Sequence, residues 1–390
     1  MLLDQDQTPS RWWAVALAEA KHESAQTVLA LLVAKSPNIE IFVMRAQHRN
    51  HRVETQQSPP IWILPITEAV ANSRMGIAPN TRYERLHTVD LDMRGTYSVY
   101  VALLFALPCL REVRLRDIFC LDPDKQPDMP PSPEYSGVDT LLLYSIFVPA
   151  KFTRFLIHIC KALKRFHFDT KPGIGTRGID LVNDTVSALQ QHRDSLENLS
   201  LIDADGFLDK NVVIAPIDGF QRFHALKRLA VPFDMPMGKL PGTHISEQDW
   251  PHSREYPHMR DVRPPRLQLL DLEVSYTTVP REYHNGFTSV LTIALPSCPP
   301  QYCPAEIQLN YGAAGCRESI PFNFWDIKHA YLERGIRFNY RIGSLLGWEG
   351  ELFSRIFGSA SYCRFTTASE SDPRSDLMSR DEHLIPKIPR

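Results

Sequence analysis

Gly173, Gly175 and Gly178 stand in the spacing Gly-x-Gly-x-x-Gly, between a segment with strand alternation and one with helical spacing. Glycines placed there let a backbone approach a pyrophosphate held at a helix N-terminus, and Asp203, ending the next strand pattern, stands where an acid could bind a ribose. Two details oppose that chemistry. Residues 164–168 alternate charged and apolar side chains, whereas a dinucleotide-binding strand is buried on both faces. Four residues, Asp169 to Pro172, also separate the strand from the first glycine. The spacing therefore reads as a turn between structural units, and a nucleotide-dependent enzyme built on residues 173–178 is the alternative of a different class. Cys298 and Cys303, with Cys316 and His284, carry zinc-ligand atoms, but a structural site pairs its ligands closely on both sides and here one pair alone is close. His48 and His51 lie three apart in a polar stretch, as surface histidines do. Asn183 and Asn198 open glycosylation sequons, read as accidental. No Gly-x-Ser-x-Gly elbow, Walker A loop or His-Glu-x-x-His motif occurs, and Asp203 and Asp205 lie in a turn pattern that does not mark a catalytic dyad. The expectation is no catalytic residue, no cofactor and no metal.

The elements that would position such residues come from a chain of 390 residues, 43% apolar and 23% charged, with a formal charge of −2. That composition fits a folded core and excludes collagen, coiled coil and wholesale disorder. The near-zero charge supplies no global field toward nucleic acid or an anionic membrane. No apolar run is long enough to span a bilayer. The opening Met1–Asp6 carries acids where a secretory leader carries bases. Seven cysteines at low density point to free thiols in a reducing compartment, cytoplasmic or nuclear.

One pattern recurs along the chain: apolar, two variable, apolar, one variable, apolar. It appears as Leu86–Val89–Leu91, Leu110–Val113–Leu115, Val138–Leu141–Leu143, Leu163–Phe166–Phe168, Leu196–Leu199–Leu201, Leu226–Leu229–Val231 and Leu267–Leu270–Leu272. The starts are 24, 28, 25, 33, 30 and 41 residues apart. Weaker copies read Ile39–Ile41, Ile307–Leu309 and Ile336–Phe338. The last two apolar positions have strand spacing. The segments between have helical spacing: Tyr100, Leu103, Leu104 and Leu107; Phe152, Phe155, Leu156 and Ile159; Leu181, Val182, Val186 and Leu189. A strand, a turn and a returning helix cannot bury their faces alone, so such units must stack.

These residues resemble the leucine-rich repeats of fungal F-box-like proteins, whose units vary in length; the resemblance covers about Ser36 to Tyr340. It implies an α/β solenoid, an irregular arc of parallel strands with helices on the outer face, and a role in selecting substrates for ubiquitin ligation. The asparagine or cysteine usual three residues past the last apolar position is replaced by Arg94, Ile118, Ile146, Lys171, Ala204, Asp234 and Ser275, which implies irregular curvature. Leu64-Pro65-Ile-Thr-Glu68 resembles the opening of an F-box, with its glutamate one position late and without the helical stripe of that domain after it. A ubiquitin-ligase adaptor is therefore not an expected partner.

The domain reading places an extension at 1–11, the solenoid at 12–340 with insertions at 45–82, 121–133 and 232–265, and a polar, disordered tail within 341–390. Trp12 to Ala34 reads as an opening helix with Trp13, Leu17, Val28, Leu31 and Leu32 toward the first strand, and Phe324 to Arg334 as a closing helix stopped by Gly335. Function is expected on the open face of the strands, where Arg114, Arg116, Leu142, Tyr144, Arg165 and His167 fall on three neighbouring strands. Arginine and tyrosine dominate interface energetics, so these six form the expected hot spot for another protein, with no nucleic acid and no membrane. Pairing of the arginines with Glu112 and Asp169 is the competing expectation. A binding or inhibitor scaffold unconnected to a ligase is the first functional alternative.

Overall fold

The structure is a computed structural model that describes residues 25–36, 38–44, 63–74, 83–92, 98–118, 136–146, 148, 150–170, 177–203, 219–232, 263–275, 303–312 and 324–343. All of them belong to one compact unit, residues 1–345; a second unit comprises residues 346–390. The expected extension at 1–11, the insertion at 121–133, residues 233–262 and the tail beyond 343 lie outside the described residues.

Ten strands form one open, all-parallel sheet in the order of the sequence: β1 (Ile41–Met44), β2 (Thr88–Asp92), β3 (Glu112–Arg116), β4 (Thr140–Ile146), β5 (Arg165–Thr170), β6 (Asn198–Asp203), β7 (Arg228–Pro232), β8 (Leu269–Ser275), β9 (Glu306–Gly312) and β10 (Arg337–Gly343). Among the described residues, α-helices lie before β1 and in several of the connections between strands: α1 (Ala25–Lys35), α2 (Leu64–Arg74), α3 (Ser98–Leu104), α4 (Ala150–Ile159), α5 (Arg177–Leu189) and α6 (Phe324–Leu332). A parallel pair needs a crossover connection, and a sequential order with helical crossovers is compatible with a solenoid-like arc.

The register places the sequence pattern in rows. Val89, Val113, Leu141, Phe166, Leu199, Leu229 and Leu270 are successive ladder partners, so the middle apolar position of every full copy lies on one line. All seven are at most 2% exposed and join one core with the helices. A backbone device recurs at each step. His87 O accepts from the N–H groups of Arg111 and Glu112, both at 2.9 Å. Arg111 O, Asp139 O, Lys164 O, Glu197 O and Lys227 O each accept from the next unit's two equivalent N–H groups in the same way. The recurrence ties each strand start to its neighbour irrespective of the segment length between them. Side chains at the same level add ion pairs, Lys164 to Asp139 at 3.1 Å and Lys227 to Glu197 at 2.9 Å.

The ends differ from the sequence reading. Phe42 and Met44, not Ile41, pair with Val89 and Leu91, so the first copy is Ile39–Phe42–Met44 and Ile41 faces outward at 57% exposure. At the other end Phe338 pairs with Ile307, which shifts the last copy by two residues. In α1, Ala30 and Val33 are buried while Val28 and Leu32 are exposed, the reverse of the expected face. Ala30 lets the helix approach closely where leucine would stand it off. Trp13 and Leu17 lie outside the described residues. Residues 45–82 include α2, whose Ile66, Ala69 and Val70 are buried in the core, so part of that span is a packed helix of the array. Gly335 adopts φ 72°, and the N–H groups of Gly335 and Ile336 donate to Leu332 O and Tyr331 O, closing α6 with a left-handed glycine.

Candidate functional site: the outward face of the sheet

Residues between the two inward apolar positions form a middle row on the opposite face. Asp90, Arg114, Leu142, His167, Ser200 and Ala230 are successive ladder partners there, followed by Asp271 and Gln308. Parallel strands lie about 4.8 Å apart, which brings the six sequence-chosen residues onto adjoining strands. Arg114 aligns with Leu142 and Leu142 with His167, while Arg116 aligns with Tyr144. Arg165 stands one row earlier, aligned with Thr140 and Asn198, and is exposed.

The contacts between them run along the sheet. The Arg116 guanidinium lies 4.2 Å from the centroid of the Tyr144 ring. That ring is 4.6 Å from the His167 ring at an interplanar angle of 42°. His167 Nδ1 in turn is 3.0 Å from Ser200 Oγ. Arg116 also pairs with Asp90 at 3.2 Å, and the Asp90 side chain is 4% exposed. Arg114 pairs with Glu112 at 2.7 Å. The competing expectation thus holds for Arg114 and Glu112, whereas the partner of Arg116 is Asp90.

These contacts correct the picture of an open groove. Leu142 is fully buried and His167 is 2% exposed, as are Asp169 at 3% and Ser200 at 0%. An alternating strand pattern marks a face as polar but carries no information about lateral neighbours. At this spacing long side chains lie down over adjacent strands and take most of the middle row out of solvent, Arg114 staying partly exposed. Accessible outward positions are concentrated in the first row and in the turns before it, where Arg165, Lys164, Arg111 and Gln268 are exposed.

Electrostatics follow the burial. Burial holds the His167 imidazole down at about 3, with the Arg116 charge acting in the same direction. Burial pushes the Tyr144 phenol well above its ordinary value, against the pull of Arg116 and Arg114. His167 and Ser200 have the atoms of a base and a nucleophile, but a base held near 3 is badly matched to proton abstraction at neutral pH. Their contact is that of a buried polar pair satisfying itself.

The six residues chosen from the sequence lie on β3 to β5 and miss a second buried polar network on this face. Asn310 Nδ2 donates to Asp271 Oδ1, and Gln308 Nε2 donates to Asn310 Oδ1 at 2.8 Å. The alternation Ile307-Gln308-Leu309-Asn310 is the signal for it.

The other candidates disperse. Gly173 and Gly175 lie outside the described residues, and Gly178 lies within α5. β5 and α5 do flank the glycine spacing, and Asp203 ends β6. The burial of His167 and Asp169 removes the argument that β5 has a solvated face. A stronger one replaces it: nucleotides bind open parallel sheets where the strand order reverses, and this order runs in one direction from β1 to β10. His48, His51, His284, Cys298 and Cys316 lie outside the described residues. Cys303 packs against the core, and no metal-ligating cluster occurs among the described residues. No helix among the described residues is long and apolar enough to cross a membrane. Pro65 lies in the first turn of α2 and is buried. No family model matches the chain, and no curated protein matches it in sequence.

Proposed function

We propose that the chain is an irregular leucine-rich-repeat protein that serves as a non-catalytic scaffold for another protein. The observation that carries this reading is the uninterrupted sequential ladder of parallel strands with one repeated carbonyl bond at each step. Stacked units of that kind offer a long surface along the strands, and binding is the use to which such surfaces are put. The setting implied by the resemblance is substrate selection for ubiquitin ligation. Recruitment of the ligase adaptor through Leu64 and Pro65 is opposed by α2, which spends Ile66, Ala69 and Val70 on the core.

Affinity capture with the full chain as bait, followed by lysine cross-linking of the purified complex, tests the scaffold. Cross-links should come from Lys164 and Lys227 at the strand starts. Cross-links confined to Lys151 on α4 would place the partner on the helices and defeat this use of the sheet. The adaptor is tested separately. The purified chain should form no complex with it; a complex that survives gel filtration and is lost in L64A/P65A, with thermal unfolding unchanged, would overturn the assignment. A nucleotide-dependent enzyme predicts that NAD or ATP raises the unfolding temperature, and the scaffold predicts no change.

A further inference from the structure

The turns leading into β5 to β8 gather positive charge on a chain whose formal charge is −2. The turn and strand start at β5 carry Lys161, Lys164 and Arg165; those at β7 carry Arg222, Lys227 and Arg228; Arg263 and Arg266 precede β8. At β6 the same segment holds Arg193 with Asp194 and Glu197. The acids nearby are engaged: Asp139 with Lys164, Asp194 with Arg193 and His224, Glu197 with Lys227. Lys161, Arg165, Arg222 and Arg266 are exposed and make no ion pair among the described residues.

We propose that this lip, at the N-terminal ends of β5 to β8, docks an acidic segment of a protein partner in extended conformation. The proposal rests on the scaffold reading and names the chemistry of its partner. The register sets the starts of β5 and β8 three strands apart, with Arg165 on the first and the exposed Arg266 in the turn before the second. Three strand spacings are about 14 Å, the distance between carboxylates four residues apart on one face of an extended strand. Arginine suits this role because its planar fork grips a carboxylate bidentately. Across β5 to β8 the middle row, His167, Ser200, Ala230 and Asp271, is buried and cannot make these contacts. A polypeptide is favoured over nucleic acid because Asp194 and Glu197 interrupt the strip. A peptide can place a neutral residue opposite them, but a phosphodiester backbone carries a charge at every step.

Fluorescence anisotropy on the full-length protein tests it. The probe is a short labelled peptide of alternating glutamate and serine, compared with single-stranded DNA of equal charge. The peptide should bind at low ionic strength, more tightly than the DNA, and weaken with added salt. K161E/R165E/R222E/R266E should weaken it roughly tenfold or more, a loss of about 1.4 kcal/mol or more. These side chains are exposed, so thermal unfolding should be unchanged. K151E/R154E on α4 is the control and should retain binding. No peptide binding, a change under about threefold in the lip variant, an equal loss in the control, or tighter binding of the DNA would each overturn the proposal. If the peptide fails while a captured partner still cross-links to Lys164, the lip inference falls and the scaffold reading stands.

Discussion

His167 is an imidazole that the fold keeps neutral. Its ring is buried against Tyr144, its Nδ1 meets Ser200 Oγ, and Arg116 adds a positive charge above the same tyrosine. His192 is a second case: Leu163 N–H donates to its Nδ1 and its Nε2 lies 3.1 Å from Ile157 O, which fixes the neutral tautomer. Burial lowers its pKa too, only partly offset by the carbonyl contact. Both groups bind protons more weakly folded than unfolded. Their stabilising contribution is therefore complete above the unfolded value of about 6.5 and is lost as pH falls below it, for His167 down to about 3. Urea unfolding should show stability falling by up to about 1 kcal/mol per pH unit below pH 6 from His167, with His192 acting in the same direction. H167Q should flatten part of that slope; an unaltered slope would show that His167 is not held neutral. Asp90 tests the neighbouring ion pair. R116A removes the cation from a nearly buried carboxylate and should cost roughly 2 kcal/mol, while R116A in a D90N background should cost much less. Additive losses in that double-mutant cycle would mean the pair contributes nothing.

At the scale of single elements, a helix end shows how a local sequence signal becomes structure. Gly335 reads as a stop because glycine adopts a positive φ without penalty, and it does so at φ 72° with no atom within 4 Å of where a Cβ would lie. G335A should therefore lower stability by about 1 kcal/mol through backbone strain alone, with no clash to relieve. A neutral result by denaturant unfolding would show that α6 can close without the left-handed residue. The same contrast explains what was legible elsewhere. Strands β2, β3, β5, β6 and β8 were legible because a polar residue separates their inward apolar pair, as Asp90 separates Val89 from Leu91, and that phase predicts the register; β4 and β7, with Leu142 and Ala230 at that position, were placed by the longer six-residue pattern. β1 was not, because Ile41-Phe42-Val43-Met44 is apolar at every position and period two has no phase there. Nor was the face of α1, where apolar residues nearly surround the helix and only packing decides that Ala30 points in. In the candidate site, the residue types and their strand adjacency were readable. The burial of Leu142 and His167 was not, since it depends on side chains from strands distant in sequence.

Across the whole sheet, each strand pairs only with the strands before and after it in sequence. Stability in such an array is close to a sum of unit terms and nearest-neighbour terms, so damage should spread according to position. Phe166 and Phe338 allow a comparison at fixed chemistry. Both are buried inward residues, Phe166 stacked near Phe168 at 6.3 Å on β5 and Phe338 against Tyr331 at 5.1 Å on β10. Truncation of either to alanine should cost about 3–5 kcal/mol locally. F338A removes support from a strand with one neighbour, so β10 and α6 can fray while β2 to β6 keep their bonds. F166A weakens two interfaces at once, and no frayed end can absorb the loss. Native-state hydrogen exchange should show F338A lowering protection within Phe324–Leu332 and Arg337–Gly343 and leaving β2 to β6 unchanged. F166A should lower protection on both sides of β5, through β4 and β6. A uniform fall in protection across all strands in F338A would mean the sheet unfolds as one cooperative block. The nearest-neighbour account, and the freedom it gives each unit to vary its connecting segment, would then be wrong.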